Sequence, residues 1–220
     1  MRQAVITKDM TKNGLRFWVA STNAGKLRDF EFALVTEPVG SVAFDLAPLP
    51  GLKEIEAPEE NAASFASNAR LKAIYYSRFA PSAMVLADDS GLEVDALDGA
   101  PGVRSARFAE DCNFIADAGM SMDARNNLCL LAALGSSPKE SWTARYRCVL
   151  AAAKDGVVVA TGAGVVAGRI VTEARGDKGF GYDPHFAPEG LTRTMAELDP
   201  QTRLGLSHRG RALVDLLRNL

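Results

Sequence analysis

The sequence is poor in the residues that build covalent or metal-centred frameworks, with three cysteines (Cys112, Cys129 and Cys148) and two histidines in 220 residues. The cysteines are odd in number and share no metal-ligand spacing, which argues against a disulfide scaffold of the secreted kind and makes a zinc centre a poor fit. A reducing, cytoplasmic setting is the expectation. Charge of one sign is also missing, since 25 Lys and Arg face 27 Asp and Glu. Such a balance provides no global basic field for a nucleic-acid backbone, so any phosphate binding has to be local. Apolar runs fall well short of the roughly 20 residues that a membrane span needs. Charges at Arg2, Lys8, Asp9, Lys12 and Arg16 break up the N-terminus in a way unlike a signal peptide. Residues 1–16 are expected to be a poorly ordered extension, and residues 17–220 a single domain without internal repeats or a low-complexity linker.

With 47% hydrophobic residues, the chain can bury a substantial core. Leu15–Ala20 has strand character and is followed by the small-residue loop Ser21–Lys26, then by helical spacing through Phe30 and Leu34. Residues 38–58, rich in Pro and Gly, suggest a second strand with a long connection. Ser64–Phe79 carries strong helix formers, and Ala83–Ala87 is a buried strand expected to end at Asp88-Asp89-Ser90-Gly91. Arg125–Leu134 has helical character, Trp142–Ala153 and Val157–Ala160 form a hairpin around Lys154-Asp155-Gly156, and Val165–Val171 continues the strand series. Ser207 is positioned to cap a closing helix that runs to about Leu217, with Leu213, Leu216 and Leu217 facing inward. Helices alternate with strands in the first half and hairpins dominate the middle, which predicts an α/β fold with a central mixed β-sheet flanked by helices.

Five segments can carry chemistry. Ser21, Thr22, Asn23, Ala24, Gly25 and Lys26 join a strand to a helix, where backbone N–H groups and the helix dipole attract phosphate and Lys26 adds a point charge. An ordinary turn with a solvated lysine is the alternative, because the Gly-x-x-x-x-Gly-Lys-Ser/Thr pattern is absent. Glu59-Glu60 and Asp88-Asp89 are carboxylate pairs whose hard oxygens suit Mg²⁺, although Asp, Ser and Gly also favour surface turns. Gly176–Phe186 combines three glycines, aromatic residues and Asp183, which suits close backbone approach, base stacking and edge reading, or else a hydrophobic plug. Ser207-His208-Arg209 supplies donors at a helix start, or a capped, solvated turn.

Six motifs in order resemble those of the inosine/xanthosine triphosphate pyrophosphatase family, the RdgB-like enzymes acting on noncanonical purine nucleotides. They are Ser21–Lys26; Glu59-Glu60 with Ser64–Ala73; Ala87–Leu92; Gly99–Gly102 with Ser105–Phe108; Gly179–Pro184; and Ser207–Gly210. The resemblance runs from about Phe17 to the C-terminus. It implies an elongated, two-lobed α/β architecture with the active site in the cleft, and a homodimer. The implied reaction is attack of water on the α-phosphorus of ITP, dITP or XTP, giving the monophosphate and pyrophosphate with Mg²⁺ as cofactor. By the same resemblance, Asp89 is the catalytic carboxylate and a metal ligand, and Glu60 is the other metal ligand. Ser21–Lys26, Lys72 and Ser90 hold triphosphate and sugar, Arg203 assists Lys26 and Lys72 in neutralising the leaving group, and Phe180, Gly181, Tyr182 and Asp183 with His208 and Arg209 bind the base. Thr22, Ser67, Arg104 and Arg203 depart from the family pattern, and Ala109–Asn127 fits it poorly. Two rival expectations are a Maf-like pyrophosphatase of different specificity and a nucleotide-binding protein without activity.

Overall fold

The computed structural model describes residues 10–11, 14–40, 43–117, 119–135 and 137–220. Most of the expected N-terminal extension falls outside these residues. Within them, β1 (Met10–Thr11) pairs antiparallel with β2 (Gly14–Val19). Asn23 caps α1 (Ala24–Thr36), after which β3 (Phe44–Pro48) lies parallel to β2. Ser64 caps α2 (Phe65–Ser77), which leads into β4 (Met84–Val94), parallel to β2 along its other edge. The chain thus leaves β2 in one direction and returns on the other side, which creates a crevice at the carboxyl end of β2 of the kind where open α/β sheets bind ligands.

The sequence predicted that β4 would stop at Ala87, but it continues through Asp88-Asp89-Ser90-Gly91 to Val94. The cause is tertiary. Every residue from Val85 to Val94 pairs with β5 (Thr143–Lys154), including Asp88 with Leu150 and Asp89 with Val149. A continuous ladder outweighs the local turn preference of Asp, Ser and Gly. Gly91 is required because a side chain there would collide with the Ser105 hydroxyl and the Gly102 carbonyl. Between β4 and β5 lie α3 (Phe108–Asp111) and α4 (Met122–Leu134).

β5 turns at Asp155-Gly156 into β6 (Val157–Ile170), which joins Val157–Ala160 and the expected Val165–Val171 segment, as far as Ile170, in one long strand, with β7 (Phe186–Pro188) along its edge. The seven-stranded mixed sheet has the order β1-β2-β4-β5-β6-β7, with β3 beside β2. The chain closes with α5 (Pro200–Gly205) and α6 (His208–Arg218), the latter capped by Ser207 as expected. Gly162 and Gly164 let the α6 backbone settle directly on β6, and any added Cβ would strike it. That close seat fixes the start of α6, where His208 and Arg209 stand.

Two large apolar clusters give the two lobes physical meaning. One joins Phe17, Phe30, Leu86 and Leu150 to Leu213 and Leu216 of α6. The other joins Leu92, Leu130, Trp142, Tyr146 and Ile170 to Phe186 and Leu198. The long strands β4, β5 and β6 run through both, and a cleft opens between them. Among the described residues, no helix is long and apolar enough to cross a membrane.

Candidate active site

Strand alternation divides the two neighbouring carboxylates between opposite faces of β4. Asp89 lies on the face covered by α2. Its Oδ2 accepts from Asn68 Nδ2 at 3.1 Å and its Oδ1 from Lys72 Nζ at 3.2 Å. Lys72 also donates to Glu60 Oε2 at 2.6 Å, so Glu60 and Asp89 converge on one cation. Asn68 is buried and its Oδ1 accepts from the Ala62 backbone at 3.1 Å, which ties the segment carrying Glu60 to the strand carrying Asp89. Burial raises the Asp89 pKa; Lys72 and Asn68 oppose that shift and Glu60 adds to it. For Lys72, burial lowers the pKa, but Asp89, Asp88 and Glu60 outweigh it and leave the ammonium more firmly protonated. Glu59 is not drawn into this cluster and instead accepts from Asn61 Nδ2 at 3.4 Å.

Asp88 lies on the other face, towards α1 and α6. Lys26 Nζ donates to both of its oxygens, at 2.9 and 2.8 Å. Burial alone would favour the neutral acid, but Lys26, Arg209 and Lys72 hold the carboxyl at about 2. The expectation of open backbone donors in the Ser21–Lys26 turn needs correction. Asn23 Oδ1 accepts from Gly25 N at 2.8 Å and Lys26 N at 3.2 Å, while Ser21 Oγ accepts from Asn23 N at 3.2 Å. The turn caps its own helix and so offers a phosphate fewer donors than a bare helix start; Thr22, Asn23 and Ala24 are exposed on its surface.

A cleft of about 430 Å³ lies beside Lys26 and is lined by Ser90, Phe180, Asp183, Arg203, His208 and Arg209 among others. Its volume is within the range of small-molecule sites. Phe180 is 46% exposed, and the Arg209 guanidinium stands 5.1 Å from its ring centroid. Positive φ angles at Gly179 and Gly181, of 81° and 62°, let the loop present this ring. Gly181 is gripped from both sides, its N–H donating to Asp123 Oδ2 at 2.7 Å and its carbonyl accepting from Asn127 Nδ2 at 2.8 Å. Tyr182 points into the protein, where its hydroxyl donates to the Ser105 carbonyl at 2.8 Å. Its side chain therefore fastens the loop to the second lobe.

Asp183 is buried, accepting from Tyr146 Oη at 2.9 Å and from Phe180 N at 3.2 Å. Burial raises its pKa to about 6, with the Tyr146 and Phe180 bonds and the Arg209 and Arg203 charges pulling the other way. Arg203, expected beside the phosphates, lies at this end, next to Asp183 across Gly179. His208 stacks on Tyr146 at 5.0 Å and 12°, and burial followed by the Arg209 charge depresses its pKa well below the usual imidazole value. It is therefore a neutral ring, and Arg209 carries the charge. Arg209 Nη1 donates to Asp29 Oδ2 at 3.3 Å and Nη2 to Ser90 Oγ at 3.2 Å. Three buried nitrogens, His208 Nε2, Arg209 Nε and Arg203 Nη1, have no protein partner among the described residues. Unpaired buried polar nitrogens cost free energy, and a polar ligand that pairs with them would recover it.

Sequence reasoning missed the residues that hold the others in place: Asp29, Asn68, Ser105, Asp123, Asn127 and Tyr146. Asn68 and Ser105 stood inside recognised motifs without a role. The rest carried no local signal, because their partners lie far away in sequence.

A slot for a flat ring at one end, with lysines and carboxylates along a strand edge at the other, is what an enzyme cleaving nucleoside triphosphates requires, and that is the class the fold and cleft define. Comparison with known families agrees: residues 17–219 match the Ham1 family, and the chain belongs to it. A dITP/XTP pyrophosphatase of Acidobacterium capsulatum is 53% identical over 206 residues, covering 94% of this chain and 98% of that protein. One from Desulforamulus reducens is 41% identical over 199 residues, covering 90% and 92%. Among solved structures, a HAM1 protein from Coxiella burnetii superposes with a TM-score of 0.73 at 33% identity, covering 94% of this chain and 100% of the other. Enzymes of this kind normally need a divalent metal.

Proposed function

We propose that this protein hydrolyses noncanonical purine nucleoside triphosphates, ITP, dITP and XTP, to the monophosphate and pyrophosphate, and so removes deaminated purines from the nucleotide pool. The observation that carries this reading is the joining of two half-sites across one strand. Asp89, Glu60 and Lys72 lie on one face of β4, and the ring slot with Arg209 lies on the other, next to Lys26.

The donor set fits Mg²⁺. Two carboxylates already share the Lys72 ammonium, and among the described residues no cluster of three or more His, Cys, Asp or Glu suggests a dedicated all-protein cage. Mg²⁺ characteristically takes one or two carboxylates and completes its shell with phosphate oxygens and water. Glu60 and Asp89 would hold it, and when bound it neutralises charge on the departing pyrophosphate. Asp89 orients and deprotonates the water that attacks the α-phosphorus. Lys72 and Lys26 face the polyphosphate and stabilise negative charge as it moves to the leaving group. Phe180 stacks on the base. Arg209 and Arg203 donate to carbonyl oxygens of hypoxanthine or xanthine, and adenine, with an amino group at position 6, would set donor against donor.

The active form is a homodimer, and a cytoplasmic location suits three free thiols. The test is a panel of ITP, dITP, XTP, ATP and GTP with Mg²⁺, read by pyrophosphate release. The expected result is turnover of the first three at least about a hundredfold faster than that of ATP, the scale set by unpaired buried polar groups. Preference for a pyrimidine nucleotide would favour the Maf-like alternative, and no turnover at all would favour a silent nucleotide-binding protein.

A further inference from the structure

We propose that Asp88 is a positioning residue that serves both ends of the cleft, holding the Lys26 ammonium on the phosphate side and, through the Ser90 hydroxyl, the Arg209 guanidinium on the base side. This rests on the assignment of Lys26 to the phosphates and Arg209 to the base. Asp88 faces away from Asp89 and, among the described residues, makes no hydrogen bond to Asp89, Glu60 or Lys72, although the Lys72 charge also acts on it.

The contacts form a closed ring. Lys26 Nζ donates to Asp88 at 2.9 and 2.8 Å. Ser90 Oγ donates to Asp88 Oδ2 at 3.4 Å and accepts from Arg209 Nη2 at 3.2 Å. The other arm of Arg209 reaches Asp29 Oδ2 at 3.3 Å, on the same helix as Lys26. Three elements, α1, β4 and α6, are thus tied by one circuit of five side chains, and the Asp88 side chain at its centre is 3% exposed. A part-buried ammonium and a buried guanidinium act on one carboxylate. Removing its charge leaves Lys26 with no anion in hydrogen-bonding contact among the described residues and weakens the hold on Arg209. The position of Arg209 then becomes looser while Asp29 still grips one arm. The consequence is specific: neutralising Asp88 should degrade base selection although the side chain lies against the phosphate lysine. A residue that only filled a buried polar space would reduce activity on every nucleotide alike.

The test compares wild type, Asp88→Asn, Ser90→Ala and the double variant by steady-state pyrophosphate release from ITP and ATP, with thermal melts alongside. Asp88→Asn is expected to raise KM for both nucleotides through Lys26. It should also lower the ITP to ATP ratio of kcat/KM by about tenfold or more, the usual scale for losing a charge-assisted contact. Because Ser90 carries the link to Arg209, the ratio in the double variant should be no lower than in Ser90→Ala. An unchanged ratio in Asp88→Asn, or additive losses of selectivity in the double variant, would overturn the proposal. If Asp88→Asn does not give a cooperative melt, Ser90→Ala decides alone: it keeps the Lys26–Asp88 pair, so the proposal requires a lower ratio and is overturned by an unchanged one. Wild-type protein inactive on both ITP and XTP would instead refute the substrate assignment on which the proposal rests.

Discussion

Replacing Asp89 by Asn removes one negative charge while keeping the shape of the side chain, and the structure sets out what that costs. In the native site Asp89 accepts from Asn68 Nδ2 at 3.1 Å and from Lys72 Nζ at 3.2 Å. An amide accepts through only one atom. If its nitrogen faces Asn68, two NH₂ groups oppose each other; if it faces Lys72, an NH₂ meets an ammonium. Asn68 cannot invert to help, because its own oxygen is engaged with the Ala62 N–H at 3.1 Å. One contact is lost in either orientation, for about 1–3 kcal/mol. Relief of the desolvation that raises the native Asp89 pKa offsets part of this. The melting temperature should fall by no more than about 10 °C, at about 2–4 °C per kcal/mol for a domain of this size. Turnover should fall much further, by about a hundredfold or more, because the charge needed for both metal and water is gone. A coupled pyrophosphate assay at saturating Mg²⁺ and ITP, run beside a thermal melt, separates the two effects. A folded Asp89→Asn protein that kept more than a tenth of wild-type turnover would refute the reasoning.

Arg209→Ala removes the contacts to Asp29 and Ser90 and the cation above Phe180. It should reduce kcat/KM for ITP by about tenfold to a hundredfold while barely changing the slow turnover of ATP, and an unchanged ITP to ATP ratio would reduce Arg209 to a helix-opening residue. Asp183 should leave a pH signature, because burial lifts its carboxyl from 3.8 to about 6. The folded state holds that proton more tightly than the unfolded one, so the contribution to stability is fully present below the unfolded value and is lost as pH rises through about 6. Melts of wild type and Asp183→Asn from about pH 4 to 7 should diverge over this window, with the wild type losing stability relative to the variant, whereas parallel curves would contradict the assignment.

Features resting on short-range chemistry were legible in the sequence. Ser64 and Ser207 cap the helices they were expected to open, the β5–β6 hairpin turns at Asp155-Gly156, and the apolar stripe of α6 faces the core. Features created by distant pairing were not. The Asp88-Asp89 turn became strand because β5 supplies a ladder for it, and only that strand geometry puts the two carboxylates on opposite faces. The charge state of His208 could not be read either, since it depends on burial against Tyr146 and beside Arg209. Arg203 was expected to help neutralise the leaving group, and only the fold shows that α5 sets it near Asp183, on whose carboxyl its charge acts. The side-chain cap that Asn23 places on the first donors of α1 was not read from the sequence either.

Asp89 and the two lysines, acting at the α-phosphorus, would make pyrophosphate the leaving group. Phosphorus NMR of the wild-type reaction with ITP and Mg²⁺ tests it directly. IMP and pyrophosphate are expected in equal amounts from the first turnover, with no IDP at any time. IDP and orthophosphate as the first products would place the attack at the γ-phosphorus and contradict it.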